Sequence, residues 1–294
     1  MRSAARPSFR LWLRACAAVV ACAGIAGCAA APPIDLDERA LAAALASKPV
    51  VLLGEVHDNA AQHATRAAAL RELVRGGARP AFAFEQFDRE RQADIERARR
   101  ETPPAGTTRA DRLIALAAAP RSGWNWAYYR PYLELALEFD LPIVAANLSR
   151  ADAERVAKQG YEAVFDAAAI AALGLDALPP ALLAEQQRAV DVGHCRSLPA
   201  ERLPQLARAQ IARDAAMARA IRPYFTRGVV LLTGNGHARE IGVPHFLSGA
   251  ERARTVTIGL LEAEHAGEDT RARFDVVFVT PTQPRADPCA ALKR

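Results

Sequence analysis

The chain has 294 residues, 51% of them hydrophobic and 24% charged. That length and apolar content can fill one large packed domain, and they exclude an intrinsically disordered chain. The net charge is +5, but Arg2, Arg6, Arg10 and Arg14 supply four of those charges before any acidic residue appears. The remainder is near neutral and has no Lys/Arg run interleaved with aromatics, which argues against a nucleic-acid partner.

In chain order, residues 1–27 pair a basic flank, "MRSAARPSFRLWLR", with the apolar run "ACAAVVACAGIAG". The run is too short to span a bilayer and has the length of a signal-peptide core. It ends in Ile25-Ala26-Gly27-Cys28, which looks like a bacterial lipobox with Cys28 as the lipidated residue. Ala29, rather than Asp, follows Cys28. By similarity to sorted lipoproteins this implies a lipid anchor in the outer membrane, facing the periplasm. Residues 28–38 read as a tether and 39–294 as a single domain.

Six apolar runs read as buried strands: Val50–Leu53, Ala81–Phe84, Pro142–Ala146, Val229–Leu232, Thr255–Leu261 and Phe274–Val279. The first four lack polar alternation, which suits a sheet covered on both faces. Helical patterns fill the intervals at Ala60–Val74, Arg89–Arg100 and Trp126–Phe139. Ser149 and Asp152 form a capping-box signal for a helix over Ala151–Lys158, and Gly160 is placed to end it. Residues 150–226 show no strand and read as a helical insertion. The alternation predicts an α/β fold with a mainly parallel central sheet flanked by helices.

In such a sheet, ligands sit at the carboxyl ends of the strands. Those ends carry Gly54-Glu55-Val56-His57, Glu85, Asn147 and Gly234-Asn235-Gly236-His237. Glu55, His57, Glu85 and His237 could ligate a divalent metal or serve as a carboxylate-oriented histidine base in a hydrolase. Each could equally be a helix cap or a core histidine. Gln210 and Asp214 form a polar notch on a helix face shared with Met217 and Ile221, which fits either a site or a salt bridge. Trp124, Trp126, Tyr128, Tyr129 and Tyr132 cluster within nine residues. They could line a flat apolar ligand, with Tyr129 able to ligate a ferric iron, or could simply pack on the sheet. Once the signal and Cys28 are set aside, Cys195 and Cys289 remain. In an oxidising compartment they read as a disulfide, with a pair of metal thiolates as the alternative.

These stretches together, from "LLGEVHDNAAQH" through "AFEQFDRE", "WNWAYYRPYLELA", "LPIVAANLSRADAERVAKQG", "GHCRSL" and "AQIARDAAMA" to "LLTGNGHAREIGVPHFL", resemble the ChaN-like haem-binding lipoproteins of the Tiki/TraB/erythromycin-esterase-like superfamily. The resemblance implies haem as the cofactor and a role in iron acquisition, with hydrolase ancestry behind it. It points to Tyr129 or His194 as the axial ligand. Asn147, Arg150, Gln210 and Asp214 are read as further cofactor-binding residues, and Arg130, Arg150 and Arg239 are available to the propionates. A homodimer and an outer-membrane haem receptor are the partners it implies. A divalent-metal or His-based hydrolase is the alternative.

Overall fold

The computed structural model describes residues 34–119, 123–287 and 289–290. The signal peptide, Cys28 and the first part of the tether lie outside them. Seven strands form one sheet: β1 (Ile34–Asp35), β2 (Val50–Leu53), β3 (Ala81–Asp88), β4 (Ile143–Asn147), β5 (Val229–Leu232), β6 (Thr255–Glu262) and β7 (Val276–Thr280). All neighbours are parallel, in the order β1-β7-β6-β2-β5-β3-β4. The predicted α/β class with a parallel sheet is what the chain adopts. Among the described residues no helix is long and apolar enough to cross a membrane.

Alternation along the strands feeds two cores, because successive side chains leave a strand on opposite faces. Val51, Leu53, Phe82 and Phe84 point into one core with Leu41, Leu70 and Leu133 from the helices Glu38–Ala46, Ala60–Arg75 and Trp126–Glu138. Val50, Leu52, Ala81 and Ala83 point into the other, with Ile211, Met217 and Ile221 from the helix Leu203–Ile221. This double burial is why these strands carry no polar alternation. The span 150–226 carries helices joined by turns and no strand, the longer helices being Arg150–Gln159, Ala167–Leu173, Pro180–Gly193 and Leu203–Ile221.

Four details differ from the sequence reading. Ile34–Asp35, within the segment read as tether, is an edge strand on β7, because two residues are too few to show a period. The last strand starts at Val276 rather than Phe274, whose ring instead packs over Gly259. β3 runs four residues past Phe84, carrying Glu85 within the strand. Only half of the capping box forms. Ser149 accepts the Asp152 amide, but the Asp152 carboxylate is taken by Arg89 and Arg155.

The strand order positions the site. β2 and β5 are direct neighbours in full register, Val50 beside Val229 through Leu53 beside Leu232. After β2 the chain leaves toward β3 on one side, and after β5 it leaves toward β6 on the other. Where successive connections diverge in this way, a crevice opens above the strand ends.

Candidate functional site

The two Gly-x-x-His turns face each other across that crevice. The Asn235 amide donates to Glu55 O at 3.0 Å and stitches them together. Their glycines serve space rather than unusual dihedrals, since neither Gly54 nor Gly234 has a positive φ. A Cβ on Gly54 would strike the Asn235 side chain, and one on Gly234 would lie 2.7 Å from His57 Cε1. Only a hydrogen fits at either place.

The first turn builds an anchored histidine. Glu55 is buried at the end of β2. Its Oε1 accepts from the Tyr129 hydroxyl at 2.5 Å and lies 2.9 Å from His57 Nδ1. Its Oε2 pairs with Arg66, a fully buried guanidinium that also donates to Leu53 O at 3.2 Å. The ring of Tyr132 lies under that guanidinium, 5.4 Å away. Burial pushes the Tyr129 hydroxyl well above the usual phenol range. Burial likewise holds His63 down to about 4, so it is a neutral partner near His57 O (3.0 Å) and the Tyr132 hydroxyl (3.2 Å). The His57 side chain is 45% exposed, with Trp124 packed edge-on at 4.9 Å.

The second turn buries its histidine between two carboxylates. His237 Nδ1 lies 2.6 Å from Asp214 Oδ1, and Nε2 lies 3.4 Å from Glu85 Oε1. The other Glu85 oxygen accepts from Thr233 Oγ1 (2.7 Å) and Gly234 N (2.8 Å). Gln186 Nε2 donates to Asp214 Oδ2 at 3.3 Å and to Ile241 O at 3.0 Å. Burial alone would lower the His237 pKa, but the flanking Glu85 and Asp214 carboxylates outweigh it and push it up to about 10. Burial would raise Glu85, yet the His237 charge holds it well below the usual range. Asp214 is raised by burial.

The structure places Glu55 and His57 in one hydrogen-bond network and Glu85 and His237 in another. Arg66 neutralises Glu55, and two carboxylates occupy His237. Among the described residues no group of three or more His, Cys, Asp or Glu side chains is placed to hold a metal ion. Cys195 and Cys289 form a disulfide with Cα atoms 5.6 Å apart, which removes the thiolate alternative.

Beside the second turn, between the strand ends and the helical insertion, lies a cleft of about 840 Å³. The strand-end wall carries Glu85, Asp88, Asn147 and His237. The insertion contributes Arg150, Lys158, His194, Arg202, Gln210 and Arg213, with apolar surface from Val190, Leu206 and Ala209, and Trp124 stands at the edge. Of the residues singled out in the sequence, Glu85, Asn147, Arg150, His194, Gln210 and His237 thus meet in one place. Tyr129 and Glu55 lie beneath the first turn, and Asp214 beneath His237. His194 Nδ1 is held 2.7 Å from Val190 O. Arg213 donates one nitrogen to Asn147 Oδ1 and Leu148 O, both at 2.9 Å, and Asn147 Nδ2 donates to Glu85 O at 3.0 Å. Arg130 pairs with Asp111, and Arg239 Nε donates to Gly236 O at 3.1 Å.

Sequence reasoning passed over Arg66, Arg213, Lys158 and Arg202. Arg66 had a signal. It continues the buried stripe Gln62, His63, Leu70 and Val74, where a cation requires a buried anion. Arg213 had none, because its neighbours come from other elements.

A parallel α/β sheet with its crevice at the β2/β5 switch point and a ligand-sized cleft under a helical insertion is the setting in which α/β proteins bind small molecules. The chain belongs to the family described as "Haem-binding uptake, Tiki superfamily, ChaN", which matches residues 41–247. A solved structure titled "Cofacial heme binding to ChaN of Campylobacter jejuni" is 18% identical, with a TM-score of 0.64 over 81% of this chain and 90% of that one. A mutant erythromycin esterase in its open conformation is 15% identical, with a TM-score of 0.45 over 76% of this chain and 72% of that one. No curated protein matches the chain.

Proposed function

We propose that this chain binds haem in the cleft beneath the helical insertion and serves haem or iron acquisition. The observation that carries the reading is the cleft's chemistry. About 840 Å³ lies within the range of small-molecule pockets. Trp124, Val190, Leu206 and Ala209 offer apolar surface to a porphyrin. Arg150, Lys158, Arg202 and Arg213 offer cations to its two carboxylates. His194 suits the axial position, because Val190 O engages Nδ1 and so favours a fixed tautomer and ring orientation. Tyr129 is the weaker candidate, since its hydroxyl is buried on Glu55. Bound haem would supply the ligand-exchangeable iron; the chain supplies the cavity, the axial imidazole and the counter-charges.

Titration with hemin tests this. The protein should give a saturable Soret band that shifts in His194→Ala and stays unchanged in Tyr129→Phe. No spectral change on adding hemin overturns the reading. The same proposal places the protein on the periplasmic face of the outer membrane through lipidated Cys28, supported by the order of basic flank, apolar core, small residues and cysteine. Cys28→Ala should then lose a fatty-acid label and leave the membrane fraction. A second copy of the chain and an outer-membrane haem receptor are its proposed partners, supported by the family's description as an uptake family.

A second reading, hydrolysis, rests on His57. Its Nδ1 is set by a buried carboxylate while the ring stays half exposed, the arrangement of an oriented general base. Ester hydrolysis that is abolished in His57→Ala would support it. Activity retained in that variant would exclude it.

A further inference from the structure

The two walls of the cleft belong to different parts of the chain, and the C-terminal tail ties them together. Leaving β7, the tail crosses the rim. Gln283 caps the helix that starts at Ala60 by accepting its amide at 2.9 Å, and its Nε2 donates to Asp58 O at 2.7 Å. Arg285 donates to Asp58 Oδ2 at 2.8 Å and to both oxygens of Glu262 at 2.7 Å. The Arg285 guanidinium holds the Glu262 carboxyl down to about 2. Four residue steps later, Cys289 is bonded to Cys195. Those steps reach about 14 Å at full extension, so the tail links the β2 and β6 rim to the turn that carries His194.

The turn's own hydrogen bonds are local, Arg196 N donating to Asp191 O at 2.8 Å and His194 Nδ1 lying 2.7 Å from Val190 O. Val192 is 59% exposed, and Gly193 and His194 are exposed as well. Cys195 and Arg196 sit at φ +59° and +53°, the left-handed region that non-glycine residues occupy at a cost. The body of the helix Pro180–Gly193 is fixed through Gln186 and through Glu185 on Arg273. The disulfide ties its last turn to the tail.

We propose that the Cys195–Cys289 bond and the Arg285 anchor form a redox-sensitive clamp that holds the His194 end of the insertion against the strand-end rim and slows ligand exchange. The proposal rests on haem occupying the cleft. A dithiol opens the clamp. One of its thiolates attacks a sulfur of the bridge, its second thiol resolves the mixed disulfide, and the products are free Cys195 and Cys289 thiols and the oxidised dithiol. Two electrons and two protons move to the protein.

The test uses the mature protein, oxidised or reduced with dithiothreitol, alongside Arg285→Ala and a Cys195→Ser/Cys289→Ser variant. In the absence of hemin, amide exchange over residues 190–200 should accelerate about tenfold in the reduced protein and in both variants, while the sheet amides stay unchanged. With hemin, its transfer to apomyoglobin should accelerate about tenfold in the same samples. Unchanged exchange over 190–200, uniform loosening of the whole molecule, or faster exchange with unchanged hemin transfer each overturns the clamp. If the oxidised protein takes up no hemin, the haem reading fails, and slow local exchange that does not respond to reduction is then enough to reject the clamp separately.

Discussion

The two Gly-x-x-His turns follow twin strands of identical sequence, Val-Val-Leu-Leu, yet they build opposite environments. His57 has one nitrogen on a carboxylate and nearly half its surface exposed. His237 is buried with a carboxylate at each nitrogen. The motif places a histidine at a strand end. The elements packed around it decide whether that histidine is exposed on one carboxylate or buried between two. For the first turn the deciding residue is Arg66, which takes the Glu55 charge. For the second it is the convergence of Glu85 and Asp214.

The largest effect should come from breaking the support of the first turn. Arg66→Met leaves Glu55 buried without its partner and should cost about 3–5 kcal/mol, read by denaturant unfolding. Adding Glu55→Gln should recover part of that loss, which distinguishes a charge effect from a packing effect. The second turn predicts a pH dependence. The folded pKa of His237 lies at about 10, above the ordinary value of 6.5. Its contribution is therefore complete below pH 6.5 and is lost as pH rises toward 10. Stability should fall by about 4 kcal/mol across that window, and His237→Gln should flatten this part of the profile. A profile that is already flat in the parent protein would show His237 to be neutral.

Gly234→Ala joins the two turns. Its Cβ would meet the His57 ring at 2.7 Å, so the ring must move. A loss of about 1–3 kcal/mol is expected, together with altered His57 ring resonances by NMR. The smallest effect belongs outside both turns. Arg150 forms an exposed pair with Glu154, so Arg150→Ala should shift stability by less than about 0.5 kcal/mol. Any larger change in that variant should appear in hemin affinity instead.

The strand runs were legible because a strand buried on both faces reads as an uninterrupted apolar block, as in Val50–Leu53 and Val229–Leu232. β1 was not, since two residues show no period and it pairs at the sheet edge with β7. Which strand ends share a rim could be read from the fold class, and Glu85, Asn147 and His237 do meet there. Which of them share a hydrogen bond could not. Asp214 reaches His237 across 23 positions and Tyr129 reaches Glu55 across 74; no local pattern encodes either pairing.

The sequence by itself determined a parallel α/β sheet with histidines and carboxylates at its strand ends, because burial and strand length leave their mark residue by residue. Strand order and side-chain convergence were decided only in the tertiary structure. It set β2 beside β5 and gave Arg66 to Glu55. It also placed Trp124, from the aromatic cluster, and His194 in the lining of one cleft. Electrostatic environment depends on distance in space, and spacing along the chain does not record it.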